Sequence, residues 1–209
     1  MLNALLEIPL VSGIELLVVV FALVTLMGDA WFMLVGLSMG YWIGPRYLED
    51  ARLVTAVCVG FATLGLATVL AIKTATAIAR PEATPVDPAM LPSLVGPFVA
   101  GEIESSGFAF PSGHAVGSTV VYGGLGALLS VGRRRLRYLI AGSCILLISL
   151  ARVILQVHYP RDIVVGVGLG LGLLAVGTTV AFDDDRLRPD RVFGLAAVVS
   201  VIGFGVAIW

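Results

Sequence analysis

The chain has 209 residues, of which 58% are hydrophobic and 13% charged, with a mean hydropathy of +1.02. That profile excludes an ordinary soluble domain, and continuous runs rich in Leu, Val and Ala argue against the alternating pattern of a β-barrel. A net charge of −1 supplies no field toward nucleic acid, so the expectation is a polytopic α-helical membrane protein.

In chain order, the N-terminus lacks a basic stretch and carries Glu7 and Glu15, so it does not read as a cleavable signal peptide. Residues 14–27 are apolar but short, and Gly28-Asp29 separates them from the next run. They form either an interfacial hydrophobic helix or a seventh span. Residues 10–44 are too many for one straight crossing at about 1.5 Å per residue, which predicts a break near Asp29. Six spans follow, near 30–45, 52–72, 113–131, 137–155, 162–182 and 192–208. Cys58 and Cys144 fall in mid-span, where apolar packing is their expected role. The expected organisation is one membrane-embedded unit over 1–209, with an N-terminal hydrophobic segment (1–28) and one long connection (82–110). That connection is rich in Pro and Gly and carries Glu102 and Glu104. It reads equally as a lid or as a surface connector.

Basic residues set the orientation. Arg46 and Arg52, then Arg133, Arg134, Arg135 and Arg137, then Arg186, Arg188 and Arg191 flank three turns on one face. The positive-inside rule assigns that face to the cytoplasm. Three polar clusters fall on the opposite, extracytoplasmic face, and they contain the chain's one lysine and both histidines.

The first cluster holds Lys73, Arg80 and Pro81. On a continuing helix Lys73 and Arg80 would share a face two turns apart, with Pro81 ending the helix. They could grip one anion or simply snorkel at a membrane boundary, and the cluster alone leaves both open. The second is Pro111-Ser112-Gly113-His114, at the start of an apolar helix. Ser112 is a candidate N-cap, Gly113 permits close backbone approach to an anion, and His114 could protonate a leaving oxygen. The bland alternative is a capped helix with an interfacial histidine. The third runs from Arg152 through His158 to Asp162. Pro160 suits the first turn of a helix, so Asp162 could reach back to one ring nitrogen of His158 and leave the other as a nucleophile. Alternatively, Asp162 only stabilises that helix start.

Together the clusters resemble the three-part signature of the type-2 phosphatidate phosphatase superfamily, which shares its site with bacterial acid phosphatases and vanadium haloperoxidases. The signature reads Lys-x6-Arg-Pro, Pro-Ser-Gly-His and Ser-Arg-x5-His-x3-Asp; the chain matches its order and spacings from residue 73 to 162. Ala151 replaces the serine before the arginine, removing one hydroxyl donor. The resemblance implies a six-helix transmembrane bundle with the site at the helix ends of one face.

It implies His158 as nucleophile, Asp162 as its tautomer-fixing partner and His114 as general acid, then base. Lys73, Arg80, Ser112, Gly113 and Arg152 would hold the phosphate. No cofactor and no metal ion are expected, because the cations supply the charge. The implied partners are the bilayer and a lipid phosphate: polyprenyl diphosphate, phosphatidate or phosphatidylglycerol phosphate, the first preferred for an outward-facing site. Homodimerisation is left open. Two other readings remain, a phosphotransferase that uses an alcohol acceptor and a non-catalytic anion binder or transporter. The transporter leaves the His158–Asp162 pair without a role and finds no paired broken helices.

Overall fold

In the computed structural model, residues 13–82, 84–104, 107–184 and 186–208 are described. Residues 1–12, which include Glu7 and the start of the N-terminal segment, lie outside them. Eight α-helices occur among the described residues: α1 (Gly13–Leu26), α2 (Ala30–Ile43), α3 (Ala51–Thr76), α4 (Gly96–Ile103), α5 (Gly113–Leu128), α6 (Arg134–Ile154), α7 (Pro160–Ala181) and α8 (Pro189–Ile208). All six expected spans are helices, displaced by a few residues at their ends, and α2, α3 and α5 to α8 form the six-helix bundle. A two-residue antiparallel pair, Phe182–Asp183 with Arg186–Leu187, turns α7 into α8.

By length and composition, α3, α6 and α7 can each cross a bilayer, and the bent pair α1–α2 makes a fourth candidate if counted as one span. The expected break is present: the axis bends by 47° between the two helices. Each has 14 residues, about 21 Å, too short alone for a hydrocarbon core of about 30 Å. Helix α1 packs on α6 and α4. Its buried Val18 and Ala22 join Leu91, Val99 and Ile103 of the long connection and Leu155 and Val157 after α6. It therefore flanks the end of the bundle where the signature residues gather.

Helix α5 is the hub, packing on α3, α6 and α7. The main core joins Met33 and Leu37 (α2), Val54, Val57, Cys58 and Phe61 (α3), Val120 and Val121 (α5), Ala181 (α7) and Val192 (α8). Small residues bring the helices together: a Cβ added at Gly170 would lie 2.6 Å from Thr119 Cβ. This is the packing expected where lipid is as apolar as the helix surfaces and contact must come from close fit. The outer flanks expose Leu139, Leu146, Val164, Leu171 and Val201, as a lipid-facing surface should.

The arginine-bearing turns share one end of the bundle. There Ser130 donates to Asp50 Oδ2 (2.7 Å), and Arg137 donates to the carbonyls of Gly126, Val131 and Gly132, capping α5. The C-termini of α3 and α6 and the N-termini of α5 and α7 meet at the other end, which carries the site.

Candidate active site

Helix α3 delivers Lys73 in its last turn but does not continue to Arg80. This corrects the expected shared helical face. Ala77 takes a left-handed cap conformation (φ 48°) with its N–H on Lys73 O, and the Ile78 carbonyl accepts from Ala109 N–H instead of a helical partner. Pairing with the long connection ends the helix before Pro81 can. Arg80 returns to the site from the irregular segment after α3, donating to Val157 O (3.1 Å) and approaching His158 Nε2 at 3.4 Å.

Ser112 is the N-cap of α5, with its Oγ accepting from Ala115 N–H (3.4 Å) and its own N–H on Asp162 O (3.1 Å). A Cβ at Gly113 would meet only Val69 Cγ1, at 3.7 Å. Packing therefore does not demand glycine there, whereas close approach of an anion to the helix start would. His114 follows in the first turn of α5.

Helix α7 starts at Pro160, as expected, with Asp162 fully buried at its third position. The carboxylate accepts from Tyr159 N–H (2.9 Å) and stands 3.5 Å from His158 Nδ1, beyond a formed hydrogen bond. Asp162 thus anchors the helix start, while its expected hydrogen bond to His158 is not formed and the carboxylate only faces the inner ring nitrogen. Because a guanidinium can only donate, its approach to Nε2 needs the lone pair there, which puts the proton of the neutral ring on Nδ1. His158 is 3% exposed. Burial first, then the charges of Arg80, Arg152 and Lys73, holds its pKa well below the ordinary imidazole range. The ring is neutral, with Nε2 directed at the cations.

The cations are already engaged. Lys73 Nζ donates to Phe108 O (2.6 Å) and Arg80 Nε to Gly107 O (3.3 Å). Gly107 has φ +85°, a conformation that favours glycine. Buried Arg152 donates to Thr25 Oγ1 of α1 (3.0 Å) and to Glu102 Oε2 of α4 (3.2 Å), next to buried Ala151 at the serine position of the signature. The long connection thus contributes backbone acceptors and a carboxylate to the site. Glu102 was visible in the sequence only as a loop acid. Burial, then the neighbouring Asp29 carboxylate, pushes its pKa up.

Asp29, which the sequence offers either as a polar turn residue, the preferred reading, or as a residue touching the site from the outer side, sits beside His114 with Oδ1 2.9 Å from Nε2. Among the described residues, Asp29, Glu102 and His114 offer ligand atoms within 4.8 Å of one another, a grouping able to hold a divalent ion, although Arg152 already neutralises one of its carboxylates. This grouping draws on two residues outside the signature, where the motifs alone offered no carboxylate cluster.

From His114 an apolar cavity of about 250 Å³ runs between α2, α3 and α5, lined by Met33, Leu34, Leu66, Val69 and Gly117. Leu34 and Leu66 also face the outside of the bundle. The arrangement can therefore hold an anion at its polar end and a hydrocarbon chain at its apolar end.

The PAP2 superfamily model matches residues 53–186. Phosphatidylglycerophosphatase B of Bacillus subtilis (strain 168) is 34% identical over 83 residues, covering 37% of this chain and 41% of that protein. The chain thus aligns with about two fifths of that relative's length. The crystal structure of a transmembrane PAP2 type phosphatidylglycerolphosphate phosphatase from Bacillus subtilis superposes with a TM-score of 0.59 at 24% identity, covering 84% of this chain and 78% of that one. At that identity the likeness supports the fold.

Proposed function

Because the chain belongs to the PAP2 superfamily, we propose that it is a membrane phosphohydrolase that removes the terminal phosphate of a lipid phosphate through a phosphohistidine on His158. The observation that carries this reading is a buried, neutral His158 whose Nε2 faces Arg80, while an apolar cavity ends at His114. A lipid with its phosphate at the cations and its chain in the cavity has its ester oxygen on the His114 side.

The chemistry follows from those positions. The Nε2 lone pair of His158 attacks phosphorus as the P–O bond to the lipid alcohol breaks, and His114 gives a proton to the departing oxygen. Lys73, Arg80, Arg152, the Ser112 hydroxyl and the Gly113 N–H hold the remaining oxygens and take up the transition-state charge. Asp162 stabilises the proton carried on Nδ1 as the ring becomes positive. Water then attacks the phosphohistidine, His114 removes its proton, and the P–N bond breaks to release phosphate. The cations are proposed to suffice without a metal ion, and the Asp29–Glu102–His114 grouping makes chelation a real test.

Among substrates, phosphatidylglycerol phosphate takes precedence over polyprenyl diphosphate, supported by the relative named for that activity. The basic turns at the opposite end support an active site on the extracytoplasmic face. The test is phosphate release by the purified protein from phosphatidylglycerol phosphate, phosphatidate and polyprenyl diphosphate, each with excess EDTA and beside His158→Ala. Release that persists in EDTA and disappears in the variant supports the reading. Release only on adding an acceptor alcohol would instead support a phosphotransferase, and no turnover by folded protein would support an anion binder.

A further inference from the structure

Resting on the proposed role of His114, we infer that Asp29 is a positioning residue for the proton-transfer step, holding His114 by Nε2 so that Nδ1 carries the proton to the leaving oxygen. Asp29 lies outside the stretch matched by the family model and 85 residues from His114. It comes from the break between α1 and α2, and several contacts build that break into the site.

The carboxylate is fixed on both oxygens: Oδ1 stands 2.9 Å from His114 Nε2, and Oδ2 accepts from Trp31 Nε1 at 3.1 Å. Tyr122 OH of α5 donates to Met27 O (2.6 Å), satisfying a carbonyl that the break frees. Two positions earlier, Thr25 accepts from Arg152. Thus the end of α1 holds a phosphate-site cation and the start of α2 holds the imidazole. In the neutral ring Nε2–H donates to Asp29, leaving the Nδ1 lone pair as base; in the imidazolium, Nδ1–H is the acid. The proton leaves Nδ1 for the alkoxide oxygen as the P–O bond breaks, and Nδ1 takes a proton from water in the second step. The site then holds two Asp–His pairs, one on the nucleophile and one on the acid.

Charged groups face His114 from four elements: Asp29 at the break, Glu102 on α4, Arg152 on α6 and Arg80 after α3. Of these, Asp29 alone is hydrogen-bonded to the ring among the described residues. Replacing its carboxylate removes the partner that stabilises the imidazolium.

The test is a double-mutant cycle on phosphatidylglycerol phosphate with full-length wild type, Asp29→Asn, His114→Ala and the double variant, measured across pH. Asp29→Asn should lower kcat by about 10²-fold with KM within about threefold, and add less than about twofold in the His114→Ala background. The kcat limb that requires protonated His114 should move to lower pH. Trp31→Phe, which loses only the second anchor, should show the same pattern with a loss of about threefold to tenfold. An equal loss in both His114 backgrounds would assign Asp29 a merely structural role and overturn the inference. So would wild-type kcat, or an unmoved limb, in Asp29→Asn. If His114→Ala itself matches wild type, the proposed role of His114 fails first and the inference falls with it.

Discussion

Gly28 tests whether the helix break holds the His114 imidazole, the proposed acid, in place. In Gly28→Ala the new Cβ would stand 2.6 Å from Ile148 Cγ2 and 2.7 Å from His114 Cδ2. Non-bonded carbons prefer about 3.5–4.0 Å, so each contact is about 1 Å too close. Ile148 is fully buried and β-branched, leaving it little freedom to rotate away. Overpacking of this kind costs about 1–3 kcal/mol. If the ring yields by about 1 Å, its 2.9 Å contact with Asp29 lengthens beyond hydrogen-bonding range, and a misplacement of that size costs about 10²-fold in rate. Phosphate release and thermal unfolding of the detergent-solubilised protein should show kcat down by about 10- to 100-fold and Tm lower by several degrees. Adding Ile148→Ala relieves the first overlap but not the second, so the double variant should lose the strain contributed by Ile148 while kcat stays low. Wild-type kcat in folded Gly28→Ala would refute the claim that the break fixes His114.

Acid stability should report on His158. Its folded-state pKa lies below the unfolded value of about 6.5, so the unfolded chain takes a proton that the folded ring resists; stability present above that pH erodes as pH falls. Near pH 5 the loss is about 2 kcal/mol, and the fall in Tm between pH 7 and pH 5 should be smaller in His158→Gln than in wild type. An equal fall in both would mean that the ring is not held neutral. Glu102→Gln should tighten inhibition by inorganic phosphate about threefold to tenfold, because a carboxylate beside Arg152 competes with the anion. Weaker inhibition would instead make Glu102 the support that holds Arg152 in place.

Span positions were legible because a helix needs about 20 apolar residues to cross the core, and the break near Asp29 followed from arithmetic on helical rise. Spacing also located Ser112, Arg152, His158 and Asp162 at helix ends, since capping and proline rules operate within a few residues. Contacts made across the fold were not legible. Asp29 and Glu102 meet His114 and Arg152 through tertiary packing, and a loop acid carries no local mark of its partner. The carbonyls of Gly107 and Phe108 that hold Arg80 and Lys73 are backbone groups with no residue-type signature. The early end of α3 escaped for a similar reason: local propensity would carry the helix to Pro81, but the Ile78 carbonyl finds its partner at Ala109.

The central claim is that phosphate passes through His158. Its most direct test is rapid quenching of the purified protein with phosphatidylglycerol phosphate labelled with ³²P on the terminal phosphate. The account predicts a transient, acid-labile and base-stable label on His158 that is absent from His158→Ala, with phosphate release lost alongside it. Continued turnover by His158→Ala, or a label mapped to another residue, would contradict it.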